Sequence, residues 1–423
     1  MTERLSIDSE RLYASLDELG RIGSYTDERT GLVGVNRLAL TAADGEGRRH
    51  VVGQMRALGL EVRVDRIGNV LATFAGREPE LPPVMIGSHI DSVQTAGRFD
   101  GCLGVLGGLE VVRTLKGAGI VPLRSIVVAF FTDEEGSRFG TDMLGSAVAT
   151  GRIPLETAYA LEDKAGAVLE SELSAIGFLG SAPERLAPPH AYVECHIEQG
   201  PVLRAAGFDV GVVTGVQAIA WYELSIVGKS AHAGTTPMSL RSDPTVAAAR
   251  IALELREMTR SGKFGDGMRT TVGSVRTLPG LVNVVPAEVV CTVDLRNPDD
   301  ALMRAAEEHF LARLPQIAAE EKVTITERRT ARTDTVAFSK KIMDRVSFAA
   351  QARNLAATHI VSGAGHDAQE LARLCPTGMV FVPGEHDGIS HNPRELSTKQ
   401  QCANGVNVLL DVALELAEEG DGA

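Results

Sequence analysis

Two short apolar runs, PPVMIGSH ending at His89 and IVVAFFT ending at Thr132, bracket the apolar, glycine-rich stretch CLGVLGGLEVVRTLKGAG at 102–119. No other feature of the chain restricts its fold as much. Unbroken apolar strands on either side of an equally apolar helix are the pattern of a parallel strand–helix–strand unit whose sheet is covered on both faces. The glycines predict that this helix packs close to the sheet. Upstream, helical periodicity covers 9–22 and 46–58, and strand patterns cover 61–65, 70–74 and 84–86. The fold class is therefore α/β, with a mixed, mostly parallel sheet.

From about residue 218 the rhythm changes. A strand at 218–227 is followed by a helix at 243–259, strands at 269–276 and 288–296, a helix at 298–314 and a strand at 323–328. That is β-α-β-β-α-β, the ferredoxin-like order. Asp243-Pro244 and Asn297-Pro298 each place a capping side chain before a proline at the first helical position. Ala248, Ile251, Leu255 and Met258 form one apolar stripe, and Met303, Ala306, Phe310 and Leu314 form another. After Arg329 a helix–strand pattern returns. The expected organisation is a discontinuous domain, 1–216 and 330–423, interrupted by an α+β domain at 217–329. An exposed sheet face or edge in that insert is commonly disposed of by dimerisation.

At 423 residues the chain is too long for one small core. Its formal charge of −13 disfavours a partner held through phosphates, so no nucleic acid is expected. The N-terminal MTERLSIDSERLYASLDEL is charged throughout. The apolar runs fall short of the ~20 residues of a membrane helix, so no membrane partner is expected. Five scattered cysteines without a CxxC pair predict reduced thiols in a cytoplasmic protein.

Chemistry-bearing residues gather where these strands end, which is where open α/β sheets bind ligands. His89 closes one strand and is followed by Asp91 and Asp100 in GSHIDSVQTAGRFDG. The strand ending at Thr132 runs into Asp133-Glu134-Glu135-Gly136. AYVECHIEQG carries His196 and Glu198, and GISHNP carries His391. A nitrogen and carboxylate set without sulfur suits zinc, manganese or cobalt and does not choose among them. Two such ions about 3.5–4 Å apart, bridged by a carboxylate, form a common hydrolytic device. Asp100 is suited to bridge, and Asp91 to accept the second imidazole N–H of His89. One of the adjacent glutamates ligates while the other takes a proton from water, and the order stays open at this point. Plainer readings compete, since a histidine after a strand is often only hydrogen-bonded and Asp-Glu-Glu-Gly is often a solvated helix start. Dinucleotide binding lacks its GxGxxG.

Taken together, GSHIDSVQTAGRFDG, FTDEEGSRF, HIEQGPVL, GKSAHAGTTPM, LPGLVNVVPAEV, DLRNP, SGAGHDA and GISHNP, in that order over nearly the full chain, resemble the hydantoinase/carbamoylase branch of the dinuclear metallohydrolases. These are related to carboxypeptidase G and the aminoacylases. The resemblance implies a zinc-peptidase-like catalytic domain carrying an inserted ferredoxin-like dimerisation or lid domain. It implies two divalent ions per subunit (Zn, Mn or Co), with His89 and His196 on one, Glu135 and His391 on the other, and Asp100 between them. Glu134 is then the general base and acid, with Asp91 behind His89. The implied reaction is hydrolysis of the ureido bond of an N-carbamoyl-L-amino acid by a cytoplasmic homodimer. Allantoate amidohydrolase, β-ureidopropionase, an aminoacylase-like deacylase and a non-catalytic subunit are the alternatives.

Gln199, His232, Asn283, Arg296 and Gly365 are the implied contacts to a small ureido substrate bearing a carboxylate. Thr292, Asp294 and Arg296 share a strand face, so Arg296 suits either that carboxylate or a salt bridge to Asp294. His232, in a glycine-flanked loop, suits an oxyanion or has no role. Gly363, Ala364 and Gly365 allow close backbone approach, while His366 and Asp367 are expected to pair with each other. His386 lies five residues before His391 and competes with it as a ligand.

Overall fold

The computed structural model describes residues 4–420, so the ends of the expected catalytic domain, 1–3 and 421–423, lie outside the described residues. The chain divides into two compact units, Met1–Gly215 with Ala337–Ala423, and Val216–Val336.

In the first unit one sheet runs from Val336–Ala337 through Val210–Val216, Thr377–Val382, Ala191–Ile197, Val84–His89, Ile126–Phe131 and Val70–Phe74 to Glu61–Val64. Its centre, Thr377–Val382, Ala191–Ile197, Val84–His89 and Ile126–Phe131, is parallel, whereas Val210–Val216, Val70–Phe74 and Glu61–Val64 pair antiparallel. Every residue of those central strands is buried, which is why they read as unbroken apolar runs rather than as alternation. The helix Cys102–Gly117 lies against them as its glycines predict. A Cβ at Gly104 would stand 2.7 Å from the carbonyl oxygen of Cys195 and 2.9 Å from that of Gly87, so only glycine fits. With Ser9–Arg21, Lys340–Ala352 and Lys399–Ala417 it contributes to the main core. The five cysteines are buried and free. No described helix is long and apolar enough to cross a membrane.

Parallel strands point their carboxyl ends the same way. His89 lies beside Phe131, and Val382 beside Ile197, so the loops that follow all leave from one edge of the sheet. The strand Val84–His89 ends on the histidine, as the run PPVMIGSH predicts, which puts the His89 imidazole on rigid backbone.

The second unit is an antiparallel sheet ordered Arg269–Leu278, Glu288–Asn297, Ala218–Val227, Thr324–Thr333, with the helices Pro244–Arg260 and Asp300–Glu321. Alternation along Glu288–Asn297 sends Val289, Cys291, Val293 and Leu295 into the core, where Ile251, Leu255, Phe310 and Leu314 meet them. Three details depart from the sequence reading. The insert extends to Val336 rather than 329, because its last strand keeps pairing as far as Thr333 opposite Ile219. The second helix does not stop at Leu314; it runs through Pro315 to Glu321, since burial of Ile317 outweighs the amide that proline lacks. Its cap is Asp299, whose side chain accepts the amides of Ala301 and Leu302, while Asn297 is buried and donates to the carbonyl of Phe264.

Phe310 is a direct test of this core. It is buried, its ring 5.5 Å from that of Tyr222, next to the chain's single tryptophan, Trp221. Phe310→Ala is expected to cost about 3–5 kcal/mol, read as an earlier midpoint of the tryptophan-fluorescence transition in urea. An unchanged midpoint would remove Phe310 from the core.

Candidate metal centre

His89 and His196 are both buried and are held in the same tautomer by the backbone. His89 Nδ1 stands 3.0 Å from the carbonyl of Asp91, and His196 Nδ1 stands 2.8 Å from that of Ile197. A ring that donates from Nδ1 to a carbonyl keeps the Nε2 lone pair for an electrophile, the usual arrangement of a metal-binding histidine. Both Nε2 atoms turn to Asp100 Oδ1, at 3.5 Å from His89 and 3.1 Å from His196. His196 Nε2 also accepts the Gly101 amide at 3.1 Å.

The other oxygen of the same carboxylate looks the opposite way. Asp100 Oδ2 lies 3.5 Å from His391 Nε2, which is 3.2 Å from Glu135 Oε2. It also accepts from Gln199 Nε2 and Ser390 Oγ, each at 2.8 Å. Two trios of ligand-type atoms, His89–Asp100–His196 and Asp100–Glu135–His391, therefore share Asp100. His386 belongs to neither trio, whereas His391 belongs to one.

The residues present fit divalent ions. The donors are imidazole nitrogens and carboxylate oxygens, with no thiolate among them. His89 Nε2 and Glu135 Oε1 are buried without a hydrogen-bond partner. An orphaned buried polar atom costs about 1–3 kcal/mol, and a coordinate bond removes that cost. Electrostatics point the same way. Burial alone would raise Asp100, but the imidazoles of His196, His391 and His89 gathered around it hold it well below the usual carboxylate range. Hydrogen bonds to Asp100 and Glu135 push His391 up to about 10. A field that draws protons onto these imidazoles also attracts a dication, whose binding releases them.

Glu134 stands with Oε2 3.4 Å from His89 Nε2. Burial lifts its carboxyl well above the usual range; His89 opposes that shift, and Asp367, Glu135 and Asp100 reinforce it. Such a group exchanges a proton more readily near neutral pH than an exposed glutamate does. The Asp91 carboxylate does less for His89 than the sequence suggested. It lies 3.9 Å from Nδ1, whose bond goes to the backbone, and it accepts the amides of Glu134 at 3.3 Å and Glu135 at 3.4 Å. It thus orients the glutamate loop, helped by the positive φ of Asp133.

His366 and Asp367 do not pair with each other. His366 Nε2 is 2.9 Å from Ser362 Oγ, its ring edge-on to His196 with centroids 4.5 Å apart, while Asp367 accepts from Ser146 Oγ at 2.6 Å. A Cβ on Gly365 would meet the Met143 thioether, Cε at 3.2 Å and Sδ at 3.4 Å. Two acids escaped the sequence reading. Glu194 is buried and satisfied by Ser88 Oγ, Tyr192 Oη and the Ala368 amide, at 2.7, 3.1 and 3.0 Å. Its signal was its place two residues before His196 on the same strand face. Glu395, four residues after His391, is the other.

In the second unit, Ala231–His232 pairs antiparallel with Val284–Val285, and the Ala233 amide donates to the Asn283 carbonyl at 3.0 Å, so His232 and Asn283 are neighbours. His232 Nδ1 accepts the amides of Gly234 and Thr235 at 3.0 and 3.2 Å, which leaves the ring proton on Nε2. Arg296 is held by Asp294, with Nε 2.9 Å from Oδ2 and 3.1 Å from Oδ1. The salt-bridge alternative for this residue is thus realised.

The chain is similar to known proteins over nearly its full length. The family model of peptidase family M20/M25/M40 matches residues 85–415. An N-carbamoyl-L-amino-acid amidohydrolase of Rhizobium meliloti is 39% identical, covering 98% of each chain. A ureidoglycolate hydrolase of Arabidopsis thaliana is 34% identical over 97% of this chain and 87% of its own. The crystal structure of an amidase of the hydantoinase/carbamoylase family from Burkholderia multivorans superposes with a TM-score of 0.90 at 40% identity, over 98% of this chain and 99% of that one.

Gly101 offers the sharpest test of the site geometry. At its φ of 64°, a Cβ would sit 2.4 Å from His89 Nε2 and 2.5 Å from the adjoining ring carbons. Gly101→Ala is expected to displace the imidazole and weaken divalent-metal binding at least about 10-fold, measured as retained metal after dialysis. Full retention would mean that His89 does not ligate.

Proposed function

Because the chain belongs to peptidase family M20/M25/M40, in its hydantoinase/carbamoylase branch, and is a metal-dependent hydrolase, we propose that it hydrolyses the ureido C–N bond of an N-carbamoyl-L-amino acid. The products are the amino acid, ammonia and carbon dioxide. The observation that carries the mechanism is the shared Asp100 carboxylate between two ligand trios, with Glu134 beside one of them. In this reading His89, Asp100 and His196 hold one divalent ion, and Asp100, Glu135 and His391 a second. When bound, such ions supply Lewis-acid charge that acidifies water and polarises the carbamoyl carbonyl.

The chain's own residues do the rest. Glu134 takes the proton of the attacking water as the oxygen adds to the carbamoyl carbon, then delivers it to the amino-acid nitrogen as the C–N bond breaks. The carbamic acid left behind falls apart to ammonia and carbon dioxide. Asp91 keeps the Glu134–Glu135 backbone in place through its two amide contacts. His232, with its proton on Nε2, donates to the developing oxyanion. Arg296, oriented by Asp294, and Asn283 meet the substrate carboxylate. Gln199 and the backbone at Gly365 border the substrate. The insert acts as lid and dimerisation domain of a cytoplasmic homodimer in this reading. A second reading keeps the chemistry and changes the substrate to a ureido compound of the ureidoglycolate or allantoate type, a choice supported by the Arabidopsis relative.

Two measurements check the proposal. Glu134→Gln is expected to keep its metal and lose about 10²–10⁴-fold in kcat. A near-native rate would end the proton-transfer assignment. Across N-carbamoyl-L- and D-amino acids, β-ureidopropionate, allantoate, ureidoglycolate and N-acetyl-amino acids, kcat/KM is expected to be highest for an N-carbamoyl-L-amino acid. A preference for allantoate or ureidoglycolate selects the second reading, and a preference for N-acetyl substrates overturns both.

A further inference from the structure

Glu395 takes no part in the reaction just described, yet it is buried and fully engaged at the back of the Asp100 loop. Its Oε1 accepts the backbone amides of Phe99 at 2.9 Å and Asp100 at 3.2 Å. Its Oε2 lies 2.8 Å from Ser390 Oγ, and the same hydroxyl lies 2.8 Å from Asp100 Oδ2. The loops meet so closely that a Cβ on Gly97 would stand 2.4 Å from Glu395 Cβ. A second tie, from Thr95 Oγ1 to the carbonyl of His391 at 3.1 Å, runs between the same two loops.

We propose that Glu395 is a positioning residue that clamps the Asp100 loop to the Ser390–His391 loop and so sets how the shared carboxylate faces His391. The inference rests on Asp100 and His391 being metal ligands. Its physical basis is connectivity. Asp100 and His391 come from loops that follow different strands, and each needs an external reference to keep the 3.5 Å spacing between them. One carboxyl group supplies that reference by holding the Asp100 backbone with one oxygen and, through Ser390, the Asp100 side chain with the other. The Ser390 hydroxyl has a single proton and faces two carboxyl groups. An amide at position 395 therefore serves at least as well, accepting the two backbone amides and offering an N–H to Ser390 Oγ.

The full-length chain, stripped with a chelator, is titrated with Mn²⁺ by calorimetry, and the melting temperature of each metal-free variant is recorded. Glu395→Ala is expected to weaken at least one of the two ions about 10–100-fold, whereas Glu395→Gln binds like the wild type. Wild-type affinity in Glu395→Ala overturns the clamp, and so does an equal loss in both variants, which would make charge rather than hydrogen bonding the cause. Should Glu395→Ala fail to fold, Ser390→Ala, which severs only the side-chain link, is expected to weaken binding about 10-fold, and wild-type affinity there overturns the clamp. Asp100→Asn separates the two levels. If it keeps both ions at full affinity, the ligand assignment fails, and the clamp with it.

Discussion

The candidate metal centre answers to one constraint, the burial of many carboxyl groups that act on one another electrostatically. Asp91, Asp100, Asp133, Glu134, Glu194, Asp367 and Glu395 are all buried in the catalytic unit. Two like charges about 4 Å apart repel by roughly 4 kcal/mol at an effective dielectric of 20, so such a set is unstable unless protons, donors or cations offset it. The structure uses each of these. Asp133, whose oxygens lack partners, is pushed well above its usual range by burial and by Asp91 and Asp44. Glu194 and Glu395 are saturated with hydroxyl and amide donors. Asp100, held well below the usual range, is surrounded by imidazoles whose Nε2 atoms face its two oxygens. The residual imbalance at Asp100 is what a divalent cation relieves.

Parallel topology is what makes so dense a cluster possible. The central strands are buried from end to end and their carboxyl ends are aligned by register, so each short loop starts from a fixed point. His89 and His196 lie on the strands themselves, and their Nδ1 atoms are fixed to backbone carbonyls rather than to mobile side chains. Sites built on rigid elements hold their geometry better than sites on loops. Asp100, Glu135 and His391 lie on loops, and each of those loops is held by extra ties to side chains from elsewhere.

How much of this the sequence disclosed follows a physical rule. Local patterns were legible: unbroken apolar runs gave the buried parallel strands, and the β-α-β-β-α-β order gave the insert, with its Asp243 cap observed as read. Polar residues at strand ends marked His89, Glu134, Glu135 and His196, although a role for each rested on resemblance. What stayed hidden depends on contacts distant in sequence. Nothing local says that Glu395 grips the amide of Asp100, or that His366 bonds Ser362 rather than its neighbour Asp367. Pro315 misled because the penalty for a missing amide is local, whereas the burial of Ile317 that outweighs it is tertiary.

The proposed reaction divides between the two units along the line that their burial draws. Proton transfer and carbonyl activation need a dry, fixed field, and the catalytic unit provides one because its sheet is covered and its strand ends are rigid. Substrate choice needs exposed polar groups that meet a carboxylate. The insert can offer them because alternation sends Val293 and Leu295 to the helices and leaves Thr292, Asp294 and Arg296 on the other face. In the proposed reading the Asp294 pairing sets how Arg296 meets a substrate carboxylate. A guanidinium already held along one edge has a fixed plane, so it discriminates by the angle at which a second carboxylate arrives.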